Sequence, residues 1–273
     1  MKQNKISNSD RKRAVKTAAF CALLAAAAVG LCVAYGRLHA LWLEQCVITD
    51  FASQVSITDG RMVRSDVVAS EFGLRNGANL ACIDFEERRR ALLKKIPNLR
   101  EVTIVRHLPD RVDISIEERV PVVRLGIRGQ NRDSGRVADS EGVVFISSNG
   151  TQTLPLIREA AEPGTPKGGT LGGLALAALK LIETCRSGFR ELGVIEADVS
   201  KTDYITIVLA NDYTRAKIAW EGMDSPSEAT QPNLTKQLRH LSEAISSRVD
   251  PQIREWDATQ PGYVYGNTQK GFL

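Results

Sequence analysis

GANLACIDFEERRRALLKKIPNLREVTIVRHLPDRVDISIEERVPV, residues 77–122, reads as one helix followed by two strands. Asp84 is placed to cap a helix over Phe85–Lys95. Glu86 and Glu87 fall in its first turn and Lys94 and Lys95 in its last, the order of charge that suits the helix dipole. Pro97 stops it. Alternation then sets Val102 and Ile104 on one face of a strand, and Val112, Ile114 and Ile116 on one face of another, with His107-Leu-Pro-Asp110 as the turn between them. Upstream, Phe51–Ile57 alternates loosely as a strand and Asp59-Gly60 supplies a turn. Ser65 is placed to cap a short helix over Asp66–Phe72, whose residues 67, 68 and 72 share an apolar face, before Gly73 and Gly77 interrupt the chain. Three strands covered by two helices make a domain of roughly 70–75 residues, near the low end of what folds unaided.

This run of landmarks resembles the POTRA domain of the bacterial cell-division proteins FtsQ and DivIB. The landmarks are Gly77-Ala-Asn79-Leu80, Asp84, Pro97, Arg106-His-Leu-Pro109 and Glu118-Arg119-Val-Pro121. Where the family usually has Val-x-Gly in its first strand, this chain has Ile57-Thr-Asp-Gly60. Beyond Pro121 the resemblance continues in order. Val137-Ala-Asp139-Ser-Glu-Gly142-Val-Val-Phe145 reads as a hairpin, and Leu154-Pro155-Leu156 matches a Leu-Pro-Leu segment of the family. Glu162–Gly173 (EPGTPKGGTLGG) reads as a flexible loop; it lacks the G-x-x-x-x-G-K-[ST] spacing of a phosphate-binding turn. A helix from Leu174 to Cys185 follows, then strands at Val194–Val199, Tyr204–Leu209 and Arg215–Trp220. An amphipathic helix is expected from about Pro232 to Ser247, with Leu234, Leu238, Leu241 and Ile245 on its stripe, and two last strands at Ile253–Ala258 and Gly262–Tyr265. The family has an apolar-Asp pair before its last hairpin, matched here by Trp256-Asp257, with Thr259 where an Arg is usual.

The amino-terminal end sets the compartment. Residues 1–16 hold six basic residues against Asp10, a charge of +5, and the rest of the chain sums to −1 of the total +4. Basic excess confined to one arm argues against a nucleic-acid surface. Thr17–Gly36 is a run of 20 residues without charge, long enough at about 1.5 Å per residue to cross a bilayer. The basic arm stays cytoplasmic by the positive-inside rule, which exports everything after the span. Tyr35 and Trp42 stand where an aromatic belt lies, and Arg37 closes the span. A cleavable signal would have a shorter apolar region and a small-residue cleavage site, whereas here Tyr-Gly-Arg follows. Ala22, Ala26, Gly30 and Ala34 fall at steps of four, a ridge that admits a second helix, although an alanine-rich segment satisfies almost any spacing. Outside the span Cys46, Cys82 and Cys185 are odd in number, so at least one is unpaired in an oxidising compartment, and a bridge between two of them is left open.

No catalytic constellation emerges. His39 reads as interfacial, and His107 and His240 as solvated, with none at metal-ligand spacing. There is no G-x-S-x-G or S-x-x-K motif. Glu117 and Glu118 adjoin in a strand and so point to opposite faces. Arg88-Arg89-Arg90 with Lys94-Lys95 reads as a solvated helix face, able also to meet anionic headgroups or an acidic partner. The expected fold is α+β: a basic arm (1–16), a transmembrane helix (17–36), a β-α-α-β-β domain of POTRA type (46–120), a mixed β-sheet domain with flanking helices (121–266) and a tail (267–273). The resemblance implies a divisome scaffold without enzymatic activity, in the inner membrane with its carboxy-terminal domains periplasmic, gathered at the septum. It also implies binding of FtsB- and FtsL-like membrane proteins by strand addition at Trp256, Tyr263, Val264 and Tyr265. Trp256 and Val264 fit sheet core equally well. No cofactor, metal, nucleic acid or small-molecule substrate is expected. The alternative is a POTRA module of a secretion or outer-membrane assembly system, a class whose usual β-barrel of several hundred residues finds no room in 273.

Overall fold

The computed structural model describes residues 8–127, 129, 135–147, 150–159, 164–248, 250 and 252–268, and the side chains of all of these except 8–20, 22 and 212. The chain folds as two compact units. The first runs to Gly60 and takes in Arg64–Arg90 and Val102–Ile116; the second holds Arg61–Val63, Ala91–Glu101 and the chain from Glu117 onward.

The first unit begins with α1 (Asn8–Gln45), 38 residues long. It carries the one helix among the described residues long and apolar enough to cross a membrane, and its apolar window lies at the surface rather than inside the protein. The helix does not stop at Arg37 but runs on to Gln45. What ends it is the Gly77–Leu80 turn. Asn79 donates its side-chain amide to the Leu43 carbonyl (2.9 Å), Leu80 N–H donates to Cys46 (2.9 Å), Gly77 N–H to Ile48 (2.7 Å), and Ile48 N–H to Ala78 (2.8 Å). Cys46 and Ile48 are fully buried there.

The first strand is shorter than its sequence suggests. Phe51–Gln54 forms one helical turn, α2, and β1 is only Val55–Ile57. Polar side chains explain this. Asp50 accepts from Ala52 N–H, and the Gln54 side-chain carbonyl accepts from the N–H groups of Thr49 (2.7 Å) and Asp50 (2.8 Å), which favours a turn over extension. Ser65 does not cap the next helix. It is the first residue of α3 (Ser65–Phe72), and its own N–H donates to the Asp59 carboxylate (2.8 Å). Helix α4 spans Phe85–Lys95, with Asp84 accepting from Glu87 N–H (2.9 Å) as an N-cap does. Strands β2 (Leu99–His107) and β3 (Arg111–Glu118) follow, and the sheet order is β1-β3-β2 with β1 parallel to β3. Phe72 and Phe85 stack at 5.9 Å, and Arg106 lies over the Phe85 ring (5.1 Å) while donating to the Leu80 carbonyl (3.0 Å).

The second unit is built on a nine-stranded mixed sheet. Its strands are β4 (Val123–Ile127), β5 (Arg136–Ala138), β6 (Val144–Ile146), β7 (Leu156–Glu159), β8 (Val194–Asp198), β9 (Ile205–Leu209), β10 (Arg215–Ile218), β11 (Ile253–Ala258) and β12 (Tyr265–Thr268). The spatial order is β12-β11-β10-β9-β8-β7-β4-β5-β6. Helix α5 (Gly173–Gly188) makes the crossover between parallel strands β7 and β8, and α6 (Gln231–Ser246) that between parallel β10 and β11. Leu179, Leu181 and Ile182 of α5 and Leu234, Leu238 and Leu241 of α6 share one core with Ile157, Ile205, Ile207, Ile218 and Trp256 of the strands. The β5–β6 hairpin turns at Asp139, whose carboxylate accepts from Glu141 and Val143 N–H, and at Gly142, whose φ of +80° suits a residue without a β-carbon.

The last strand lies later than its sequence suggests. Gly262–Tyr265 is mostly turn: Tyr263 N–H donates to the Gln260 carbonyl (3.2 Å), Gly262 N–H donates to the Gln237 side chain (3.5 Å), and pairing with β11 begins at Tyr265 opposite Asp257. Asn267 and Thr268 therefore belong to the sheet. Residues 269–273 and the first seven of the basic arm lie outside the described residues.

Candidate interaction site

Strand β12 is the terminal strand of the large sheet, and it pairs antiparallel with β11 on one side only. All four of its residues are exposed. The opposite edge, β6, is covered: Val144 N–H donates to Gly169 (2.8 Å) and its carbonyl accepts from Gly168 (2.7 Å). Of the two edges, only β12 offers a row of free backbone donors and acceptors among the described residues.

The four residues expected to bind a partner divide into two pairs. Trp256 is 5% exposed and Val264 is packed against the same core, so both hold the edge strand from beneath. Tyr263 and Tyr265 are 63% and 54% exposed, with rings stacked at 6.5 Å and nearly parallel at 13°. Gly266 sits opposite Trp256. A β-carbon there would lie 2.9 Å from Ile253 Cγ2 and 3.1 Å from Trp256 Cζ3, so glycine is what lets the strand lie close over the indole. Along α1, Ala26, Gly30 and Ala34 are exposed, and nothing lies within 4 Å of a β-carbon at Gly30; the side chain of Ala22 lies outside the described residues.

Sequence reasoning missed a charge cluster in the second unit. Arg119, with a side chain 13% exposed, bonds to Asp139 (6% exposed) and to Glu141 (2.8 Å). Arg100 bridges Glu141 (2.9 Å) and Glu117 (3.0 Å). Hydrogen bonds from Arg119 and then Arg100 hold the Glu141 carboxyl below its ordinary range. Glu118, on the other face of β3, accepts from the backbone N–H groups of Arg61, Met62 and Val63 at 2.8–3.0 Å. The Glu118-Arg119 dipeptide, legible only as a landmark, thus anchors a loop with one residue and a hairpin with the next.

The remaining candidates are engaged locally. Arg88 donates to the Glu71 carbonyl (3.1 Å), Arg89 pairs with Glu86 (3.3 Å) and Arg90 donates to the Glu86 carbonyl. His107 is bonded to Asp113 (2.8 Å), and His39 lies between Tyr35 and Trp42 along α1. His240 is not solvated as its place on the helix suggested: it is half-buried, with Nε2 shielded from water and without a partner among the described residues. A helix seated on a sheet also shields the flank of its apolar stripe. Cys46, Cys82 and Cys185 are all free thiols, and burial pushes that of Cys185 up to about 12. Among the described residues no group of three or more His, Cys, Asp or Glu could hold a metal ion.

Residues 52–119, which include β1, α3, α4, β2 and β3, match the family model described as POTRA domain, FtsQ-type. That stretch is similar to an FtsQ-type POTRA domain. A curated relative, the cell division protein FtsQ of Streptomyces griseus, is 31% identical over 88 residues, a stretch that covers 32% of this chain. The match spans about 40% of that relative's length. Both findings support the FtsQ/DivIB resemblance read from the sequence. They also give the Gly77–Leu80 landmark a place within the FtsQ-type POTRA domain: it is the turn that receives the end of α1.

Proposed function

We propose that the chain is a single-pass membrane scaffold of bacterial cell division, which gathers and positions division partners at the septum without catalysing a reaction. The observation that carries this reading is an FtsQ-type POTRA domain bonded directly to the end of a membrane-length helix. In this reading the amino terminus is cytoplasmic and both folded units lie outside, which the positive-inside rule supports through the basic arm. Partner capture is assigned to β12, whose free edge accepts one further strand by backbone hydrogen bonding. By the family resemblance, FtsB- and FtsL-like membrane proteins are the partners, with Tyr263 and Tyr265 as contact residues and Trp256 and Val264 as their support. Ala26, Gly30 and Ala34, in the ridge begun by Ala22, are assigned to helix packing in the bilayer.

The test is a fluorescent protein fused to the amino terminus and imaged in growing cells. A midcell ring that sharpens as constriction begins is the expected result. A uniform peripheral signal in dividing cells would remove the division assignment and leave the membrane anchor standing.

A further inference from the structure

The face of the large sheet away from α5 and α6 carries two rows of paired residues that run toward the free edge. One row steps Glu196, Val208, Arg215, Glu255, Asn267; the next steps Asp198, Thr206, Lys217, Asp257, Tyr265. Nine of these ten residues line a single trough of about 390 Å³. Charge alternates by strand: acidic on β8, neutral on β9, basic on β10 and acidic on β11. On β12 it ends, in the neutral Asn267 and Tyr265.

The acids nearest the edge are left uncompensated on that side. Neither Glu255 nor Asp257 forms an ion pair within 4.0 Å among the described residues. Asp257 accepts only from Thr259 (3.0 and 2.6 Å), and Lys217, its neighbour on β10, lies over the Tyr204 ring at 5.5 Å. A strand added outside β12 would run about 5 Å from it and about 10 Å from β11, within reach of a lysine or arginine side chain crossing the β12 residue between. On the same side, Tyr263 and Tyr265 present exposed ring faces, which attract cations.

We infer that the strand captured by β12 is basic on this face, with Lys or Arg at two positions separated by one residue, opposite Tyr265 and Asn267. The inference rests on the strand-addition reading and names the chemistry of the partner segment. A second copy of this chain is the wrong occupant. Its β12 brings Tyr265, Gly266, Asn267 and Thr268, with no cation, and sets two pairs of acids across the new seam.

The experiment uses the full chain in detergent micelles, with a host strand of alternating Thr and Val fused after Leu273 through a flexible Gly/Ser linker, so that pairing is intramolecular. Three guests differ only at the two positions, as Lys/Lys, Gln/Gln and Glu/Glu, and amide hydrogen exchange of residues 265–268 is the readout. Lys/Lys should give about tenfold more protection than Gln/Gln, the effect of two modest ion pairs of about 0.7 kcal/mol each. Glu/Glu should give less than either. In the Glu255→Gln/Asp257→Asn background, which keeps an acceptor for Thr259, the three should converge. Equal protection from all three in the parent chain would overturn the charge rule and leave strand addition intact. Protection from none would overturn both, and concentration-dependent protection of the unfused chain would give the edge to a second copy instead.

Discussion

Glu141 shows how much one side chain can bind together. Bonds from Arg119 and Arg100 depress its pKa, so its contribution to stability is present above the ordinary carboxylate value and is lost as pH falls through the lowered one. Glu141→Gln should therefore melt below the parent protein at neutral pH, and the two melting temperatures should converge in acid. A constant difference down to acid pH would show that packing rather than charge is responsible. Residues with local partners were legible in the sequence: Asp84 bonds three residues ahead, and Asp139 and Gly142 make their own turn. The Arg119–Asp139–Glu141–Arg100 cluster was not, because its partners stand 20 to 41 positions apart and no period in the chain records such a pairing. Charge at those positions reads as ordinary surface until the fold brings it together.

At the level of elements, strand β12 depends on what it lacks. Gly266→Val would drive a β-carbon into Ile253 and Trp256 and lift the strand from its neighbour. Amide exchange across 265–268 should then approach unprotected rates while the rest of the sheet stays protected. Tyr265→Lys acts differently, because it sets a cation opposite the basic position inferred for the captured strand. Its side chain is exposed, so the melting temperature of the second unit should stay within a few degrees while capture of the proposed partner strand is lost. Unchanged affinity in a pull-down with the partner would remove Tyr265 from the contact. Most elements were readable in order because each stripe or alternation is local, but β4 and β7, in the interior of the large sheet, were not read as strands. Nor were the ends readable: Phe51–Gln54 became a turn and the last strand moved to Tyr265–Thr268 because side chains of Gln54, Asp50 and Gln237 bind the neighbouring backbone.

For the molecule as a whole, the bond between α1 and the Gly77–Leu80 turn matters beyond strength. A helix advances about 100° per residue, so fastening its last turn at Leu43 and Cys46 fixes the compass bearing of every side chain below it, the Ala26–Gly30–Ala34 ridge included. The Ala26–Gly30–Ala34 ridge and the turn that holds the end of α1 are thus in phase, like two cams on one shaft. One alanine inserted after His39 would turn the ridge by about 100° and raise the domain by only about 1.5 Å, whereas seven would bring it back to within about 20° while raising the domain by about 10 Å. If the ridge meets another helix in the bilayer, midcell recruitment should fail with one added residue and return with seven, the reverse of what a simple spacer would do. The bearing, not the reach, is what such an anchor transmits.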